Sequence, residues 1–390
     1  MMTPMQPSAS PLDTRLTLLL ATATGAAVAS IYYVQPLLGL LSAQFGVGSA
    51  TIGLLPTLTQ LGFAAAILLL SPLGDRFDRR RIILIKSGGL VLALLFAAAA
   101  PSFGALALAS VLIGLMGTVG QDIVPAAAAL APEAERGKRV GQVMTGLFLG
   151  ILLSRVASGS LAALAGWRAV YVAGALAVAA VMPLLWLRLP RFEPATSAGY
   201  GSLLVSMVGL WRQHASLRRA AWTQGLLSLA FSAFWSTLAL VLATPDFQQG
   251  SAVAGAFGIA GAAGALAAPL AGGVADRRGP QAVIRLGALL VMLAFTVQAL
   301  APASLLLLVG VAVVFDLGVQ ASLVSHQSLI YSLDPVSRSR LNAVLVTSMF
   351  VGMASGAALA SSLLAHTSWR AVPALGALAG LAALLVARRH

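Results

Sequence analysis

Long apolar runs, divided by short polar or basic joins, occupy nearly the whole chain. A helix that crosses a bilayer needs about 20 mostly apolar residues. By that rule the pattern predicts twelve spans, at 15–40, 50–73, 82–100, 104–130, 140–164, 168–189, 220–243, 251–274, 281–301, 303–331, 341–366 and 369–387. Several joins are very short, such as Pro101-Ser102-Phe103 and Ala301-Pro302. The join between spans six and seven is long. It carries Arg188, Arg191, Glu193, Arg212, Arg218 and Arg219, with an amphipathic stretch from Ser202 to Leu217 that suits a helix lying along the membrane surface. The expected architecture is an all-α membrane protein. It has a disordered lead over 1–14, a six-helix bundle over 15–189, a cytoplasmic linker over 190–219 and a second six-helix bundle over 220–390.

The two expected bundles repeat one another. Trp167-Arg168-Ala169-Val170 recurs as Trp369-Arg370-Ala371-Val372, and Gly150 and Gly352 share the same offset. Six spans is an even number, so both copies enter the membrane from one face. The repeat is therefore parallel, about an axis along the membrane normal, an arrangement of transporters whose site lies between the halves. Span five carries Gly146, Gly150, Ser154 and Ser158, span eleven carries Ser348, Gly352, Gly356 and Ala360, and span eight carries Gly255, Gly258, Gly261 and Gly264. Such small-residue stripes let helix backbones approach closely in lipid.

Composition agrees with the pattern. The apolar fraction is 59% and only 9% of residues are charged, against roughly 25% charged in soluble domains. With no cysteine, disulfides, thiolate metal sites and cysteine nucleophiles are excluded. A net charge of +13 suggests nucleic acid at first sight, but its placement argues for membrane orientation. With the N-terminus inside, all but Arg155, Arg168 and Arg370 of the 24 basic residues fall in cytoplasmic segments. The lead lacks a basic region followed by a short apolar core and a cleavage site, so the first span is expected to be retained. These features predict a multi-pass inner-membrane protein with both termini cytoplasmic.

Two joins carry a motif. Ser71-Pro72-Leu73-Gly74-Asp75-Arg76-Phe77-Asp78-Arg79-Arg80-Arg81 follows span two, and Gly272-Gly273-Val274-Ala275-Asp276-Arg277-Arg278-Gly279 follows span eight. Both resemble the cytoplasmic loop signature of the major facilitator superfamily, G-x-x-x-D-R-x-G-R-R. Finer resemblance to bacterial efflux permeases of that superfamily lies in Ile31-Tyr32-Tyr33-Val34-Gln35-Pro36, Gly120-Gln121-Asp122-Ile123-Val124-Pro125, Asp316-Leu317-Gly318-Val319-Gln320 and Ser337-Arg338-Ser339-Arg340-Leu341-Asn342. Ser110 stands where the superfamily often has an arginine, and Ser154-Arg155 where its antiporters have Gly-Pro. The resemblance implies alternating access by rocking of two halves. It also implies that Asp75, Arg76, Asp276 and Arg277 form a conformational latch, Asp75 facing the N-terminal dipole of span eleven.

Well inside the spans the pattern shows three charged side chains, Asp122, Arg155 and Asp316, and none is duplicated between the halves. A charge at the bilayer centre costs at least about 2.5 kcal/mol, so it faces a cavity or a partner. From residue counts at about 1.5 Å rise each, Asp122 and Arg155 differ by roughly 12 Å in depth, too far for a salt bridge. Arg155 lies nearer Tyr32, Tyr33 and Gln35, where it either binds an anionic or carbonyl group of cargo or is satisfied by those side chains. Asp122 and Asp316 are the candidates for proton coupling, since a partly desolvated carboxylate in a cavity can change protonation with the cycle. Gln60, Gln224, Phe231, Trp235 and Gln320 are further candidates to line the cleft, and His326 is a candidate titrating group at a helix end.

The expected function is secondary active transport of a small organic molecule, as proton-coupled efflux or, alternatively, uptake of a sugar, organic acid or other metabolite. The expected partners are the cargo, protons and lipid, with the chain a monomer and with no cofactor, metal or nucleic acid. No P-loop, metal-ligand cluster or His/Ser/Asp grouping supports an enzyme, and a two-fold repeat with unmatched charges supplies no ring of filter residues for a channel.

Overall fold

The computed structural model describes residues 12–194, 196, 199–261, 277–301, 304–334 and 337–388. Eleven of the described helices are long and apolar enough to cross a membrane. The expected eighth span is described only as the short apolar helices α13 (Ser251–Ala256) and α14 (Gly258–Gly261), and its remainder, with Gly264 and Asp276, lies outside the described residues.

The first span starts with a cap. Asp13 accepts a hydrogen bond from the Leu16 amide at 2.6 Å and opens α1 (Thr14–Tyr32), and Leu12 before it is buried. Pro36 lacks an amide proton and ends the regular helix, leaving a short 3-10 turn over Gln35–Leu37 before α2 (Leu38–Phe45). That break sets Tyr32 and Gln35 at a helix end in mid-span. After α3 (Ser49–Ile52) the second span runs through α4 (Leu54–Leu70) to the short helix α5 (Leu73–Arg76). Span three is α6 (Arg79–Ala99), and span four is broken at Gly117 into α7 (Phe103–Met116) and α8 (Val119–Leu130). Spans five and six are α9 (Arg136–Ala165) and α10 (Trp167–Arg188).

The join that follows is tied down. Asp78 accepts from the Phe192 amide at 3.0 Å, and the Tyr200 hydroxyl donates to the Leu69 carbonyl at 2.7 Å. The amphipathic helix is α11 (Tyr200–Gln213), and it ends before Leu217 because the chain turns at His214. It buries Leu203, Met207 and Leu210, one helical face, against α12 (Ala215–Leu242) and α17 (Arg338–His366). The remaining spans are α15 (Pro280–Leu300), α16 (Leu305–Tyr331) and α18 (Ala371–Arg388).

Helix pairs recur along the chain: α1 packs on α9 as α12 packs on α17, and α6 packs on α10 as α15 packs on α18. Small residues set these distances. A β-carbon at Gly150 would run into the backbone of Gly25, and one at Gly352 into that of Gly225. Leu92, Leu164, Leu187, Leu300 and Leu306 are exposed on the outer surface, apolar groups for which lipid is the fitting solvent.

Candidate functional site

A cavity of about 570 Å³ separates the N-terminal spans from the C-terminal ones. Its walls include Tyr32, Phe63, Phe148, Phe231, Gln320, Met349 and Phe350. Ser71, Val140, Tyr331 and Arg338 also line it, residues at the ends of α4, α9, α16 and α17 on the face that carries the basic joins. It therefore opens toward that basic face. At the opposite face small residues seal the two groups of spans together. Gly39 meets Ala239 and Ala243, Gly53 meets Ser361, and Gly159 meets Ser251 and Gly255. Between mouth and seal, Phe63 stacks on Phe350 with ring centroids 4.1 Å apart.

Arg155 stands at the sealed end and is 2% exposed. Its Nε donates to Gln35 Oε1 at 2.9 Å, and its guanidinium carbon lies 4.1 Å from the Trp235 ring, 4.9 Å from Tyr32 and 5.7 Å from Phe231. Backbone closes the other side: a β-carbon at Gly258 would stand 3.0 Å from the Arg155 β-carbon. Asp316 is equally buried on α16, beside Trp235 and Gly261, and its Oδ1 has no hydrogen-bond partner among the described residues. Arg155 and Asp316 interact through their charges, yet neither belongs to an ion pair within 4.0 Å there. Arg155, Gln35, Tyr32, Trp235 and Asp316, singled out from sequence, thus converge on one locus.

Other expected residues lie elsewhere. Tyr33 points away from the cavity into α10, where its ring fills the space a side chain at Gly174 would need. Successive residues at the end of α1 face different neighbours, so Tyr32 and Tyr33 cannot share the cleft. Gln60 spans the two groups of helices: its Nε2 donates to Ser232 Oγ at 3.1 Å. Gln60→Leu removes that bond between the groups, leaving the Ser232 hydroxyl only Ser236 Oγ at 3.2 Å, and is expected to cost about 1 kcal/mol. A thermal midpoint unchanged in Gln60→Leu while it falls in Ser232→Ala would contradict the pairing. Gln320 and Phe231 line the cavity. His326 is buried rather than solvated, its Nδ1 3.1 Å from Gln224 Oε1.

Asp122 has a partner the sequence pattern missed. Lys86 of α6 is 4% exposed, and its Nζ lies 2.6 Å from Asp122 Oδ2. A fourth charge therefore belongs inside the spans, correcting the count of three. The expected start of span three at residue 82 placed Lys86 near the membrane edge. Because α6 begins at Arg79, Lys86 lies two turns in. The signal available in the sequence was a lone lysine followed directly by Ser87-Gly88-Gly89 and a long apolar run.

The loop residues adjoin this pair. Asp75 bridges Arg79 at 3.0 Å, and Gly74 sits where a β-carbon would be 3.3 Å from Asp122 Oδ1 and 3.5 Å from Arg79 Nε. Arg76 lies over the Phe77 ring at 5.6 Å, and Arg277 is exposed. Asp276 lies outside the described residues.

This arrangement is similar to that of known proteins. The model of the Major Facilitator Superfamily matches residues 20–295 and 228–389. The chain is 40% identical over 379 residues to the "Uncharacterized transporter YgaY" of Escherichia coli O157:H7, covering 96% of this chain and 95% of that one. It is 35% identical over 359 residues to the "Probable transporter SCO4007" of Streptomyces coelicolor, covering 92% and 83%. A crystal structure of the nucleoside transporter NupG superposes with a TM-score of 0.78 at 14% identity, over 95% of this chain and 98% of that one, a likeness of fold. A cleft between two groups of spans, a matching family model and transporter relatives along nearly the full length all agree: the chain belongs to the major facilitator superfamily and is a multi-pass membrane transporter of small molecules, not an enzyme.

Proposed function

We propose that the protein carries a small organic molecule across the bacterial inner membrane by alternating access between two six-span repeats, coupled to protons. The observation that carries this reading is the 570 Å³ cavity, open at the basic face and closed at the other by contacts between small residues. Smooth glycine and alanine seams such as Gly39 on Ala239 and Gly53 on Ser361 separate without breaking ion pairs, so opening there costs little. The positive-inside bias makes the basic face cytoplasmic and the captured state inward-facing. In that state Asp75 stays within its own loop, paired with Arg79. In the opposite state the mouth closes, and Asp75 and Arg76, with Asp276 and Arg277, become free to latch the halves.

Asp316 is the first coupling group, since it is buried, lacks an ion-pair partner among the described residues and lies beside Arg155. Asp122 is the second, and its protonation requires release of Lys86. Export is the direction favoured by resemblance to efflux permeases. Proton-coupled uptake is the second reading, favoured by the closeness of Arg155 and Asp316: cargo that occupies the arginine leaves the aspartate free to take a proton along. The chain acts as a monomer.

A ligand-stabilisation screen of the purified protein across drugs, sugars, amino acids and organic acids supplies cargo for vesicle assays. Asp316→Asn is expected to abolish gradient-driven accumulation and to spare counterflow, and the sign of the proton flux assigns the direction. For Asp122→Asn the matched comparison carries Lys86→Met as well, so that no buried lysine is left unpaired. Full pH-driven transport in both backgrounds would remove these carboxylates from the mechanism.

A further inference from the structure

The buried cation at the sealed end lacks a full counter-charge, and the polar groups around it are arranged to receive one. Arg155 makes a single side-chain hydrogen bond, to a neutral amide, and its Nη2 has no partner among the described residues. Gln35 Nε2 has none there either. Both residues border one tightly packed crevice with Pro36, Trp235 and Leu238, too narrow as it stands to hold a water molecule. Two unpaired N–H groups, one of them charged, thus border one space, and a buried donor left unmade is expensive.

The larger cavity adds an independent observation. Among the described residues its only charged lining residue is Arg338, and no aspartate or glutamate lines it. Its mouth is therefore positive, a field that concentrates anions and repels cations. Behind its closed end Arg155 stands with Asp316, which forms no ion pair with it within 4.0 Å. The rest of the wall is flat and soft. Phe63, Phe148 and Phe350 offer ring faces, and Met144, Met349 and Met353 adapt to irregular apolar shapes. Tyr32 and Phe231 belong to both places, lining the cavity and lying against the Arg155 guanidinium. They stand between cargo in the cavity and the cation behind it.

We propose that the cargo is an organic anion, an aromatic carboxylate whose ring packs in the cavity and whose carboxylate docks on Arg155 Nη2 and Gln35 Nε2 once Tyr32 and Phe231 move aside. This names the cargo class for the carrier reading above and rests on it. A carboxylate matches the forked guanidinium, and it supplies the charge that the glutamine cannot. Neutral cargo would leave Arg155 without a directly paired anion, and cationic cargo would add a second positive charge beside it. The aromatic rings stabilise the guanidinium between cycles, each cation–π contact contributing without neutralising it.

The test uses the full chain in lipid nanodiscs with three probes of one shape, 2-naphthoate, 2-naphthamide and 2-naphthamidinium. Naphthoate is expected to bind at least about 30-fold more tightly than either of the others, the usual scale for a buried charged pair. Arg155→Gln should erase that preference, and Gln35→Leu should reduce it about tenfold. Equal binding of the amide, preference for the amidinium, or naphthoate affinity retained in Arg155→Gln would each overturn the proposal. So would the absence of naphthoate binding at millimolar concentration. If Arg155→Gln does not fold, the three probes on the unaltered chain and Gln35→Leu still decide.

A separate readout isolates the carrier reading. The natural chain has no cysteine, so Ser361→Cys, placed at the sealed Gly53 contact, reports opening of that face by maleimide labelling. Labelling raised several-fold by a neutral or cationic ligand, and not by naphthoate, leaves the carrier in place and removes the anion class. Labelling that no ligand from the screen changes would count against alternating access itself, and the proposal would fall with it.

Discussion

Lys86→Met is expected to destabilise the folded protein by about 3–5 kcal/mol, the usual cost of removing one partner from a buried ion pair. The reason is what remains. Asp122 is buried between α6 and α8, and Lys86 Nζ at 2.6 Å is its only ion-pair partner among the described residues. Without it, a carboxylate is left in an apolar bundle with Arg79 as the nearest other cation, held in its own bridge to Asp75. Replacing both members, Lys86→Met with Asp122→Leu, removes the two charges together and should recover most of the loss. Thermal unfolding of the parent, the single variant and the double variant in nanodiscs checks this. A single variant within about 1 kcal/mol of the parent would mean that the pair behaves like an exposed one. Because the pair joins two N-terminal helices and does not line the cavity, cargo binding and counterflow per folded molecule should survive in the double variant, while pH-driven accumulation should fall with the loss of Asp122.

Gly352→Leu is expected to prevent accumulation of folded protein. A β-carbon at Gly352 would enter the backbone of Gly225, and the next turn repeats the contact, Gly356 against Leu229. Extra methylenes in a packed core cost about 1–3 kcal/mol each site when side chains can shift. Here the obstacle is main chain, which moves only if α12 and α17 separate. In lipid, close packing is itself the driving force for helix association, so a widened seam loses what held it. Gly310→Leu is the matched comparison: Gly310 is exposed, and nothing lies within 4 Å of its added β-carbon. Expression and monodispersity of the two variants give the answer, and equal yields would show that the α12–α17 seam tolerates repacking.

Much of the architecture was legible from residue pattern. Runs of about 20 apolar residues mark spans whatever their neighbours, because lipid leaves no other way to satisfy a backbone than an internal helix. The loop motif and its second copy pointed to the family. Depth counted along the chain brought Arg155 to the level of Tyr32 and Gln35, and the tertiary structure added Trp235 and Asp316 to that locus. What depth alone misses is direction around a helix. Tyr33 sits one residue from Tyr32 and faces α10 instead of the cleft, and Gln60 is turned toward Ser232.

Lys86 shows the same limit from another side. A basic residue near a span's start reads as loop charge, and only the earlier start of α6 and the arrival of Asp122 from another helix make it a buried partner. His326 likewise reads as a solvated helix end until Gln224 of α12 meets it.

By itself the sequence determined that the chain lives in lipid, which face is basic, and which seams are small enough to pack, since hydropathy, charge placement and residue size are local properties. Which polar groups meet, where the cavity opens and which face is sealed were decided by tertiary structure alone. Those depend on the rotation of each helix and on contacts between residues far apart in the chain, and no single run of residues encodes either.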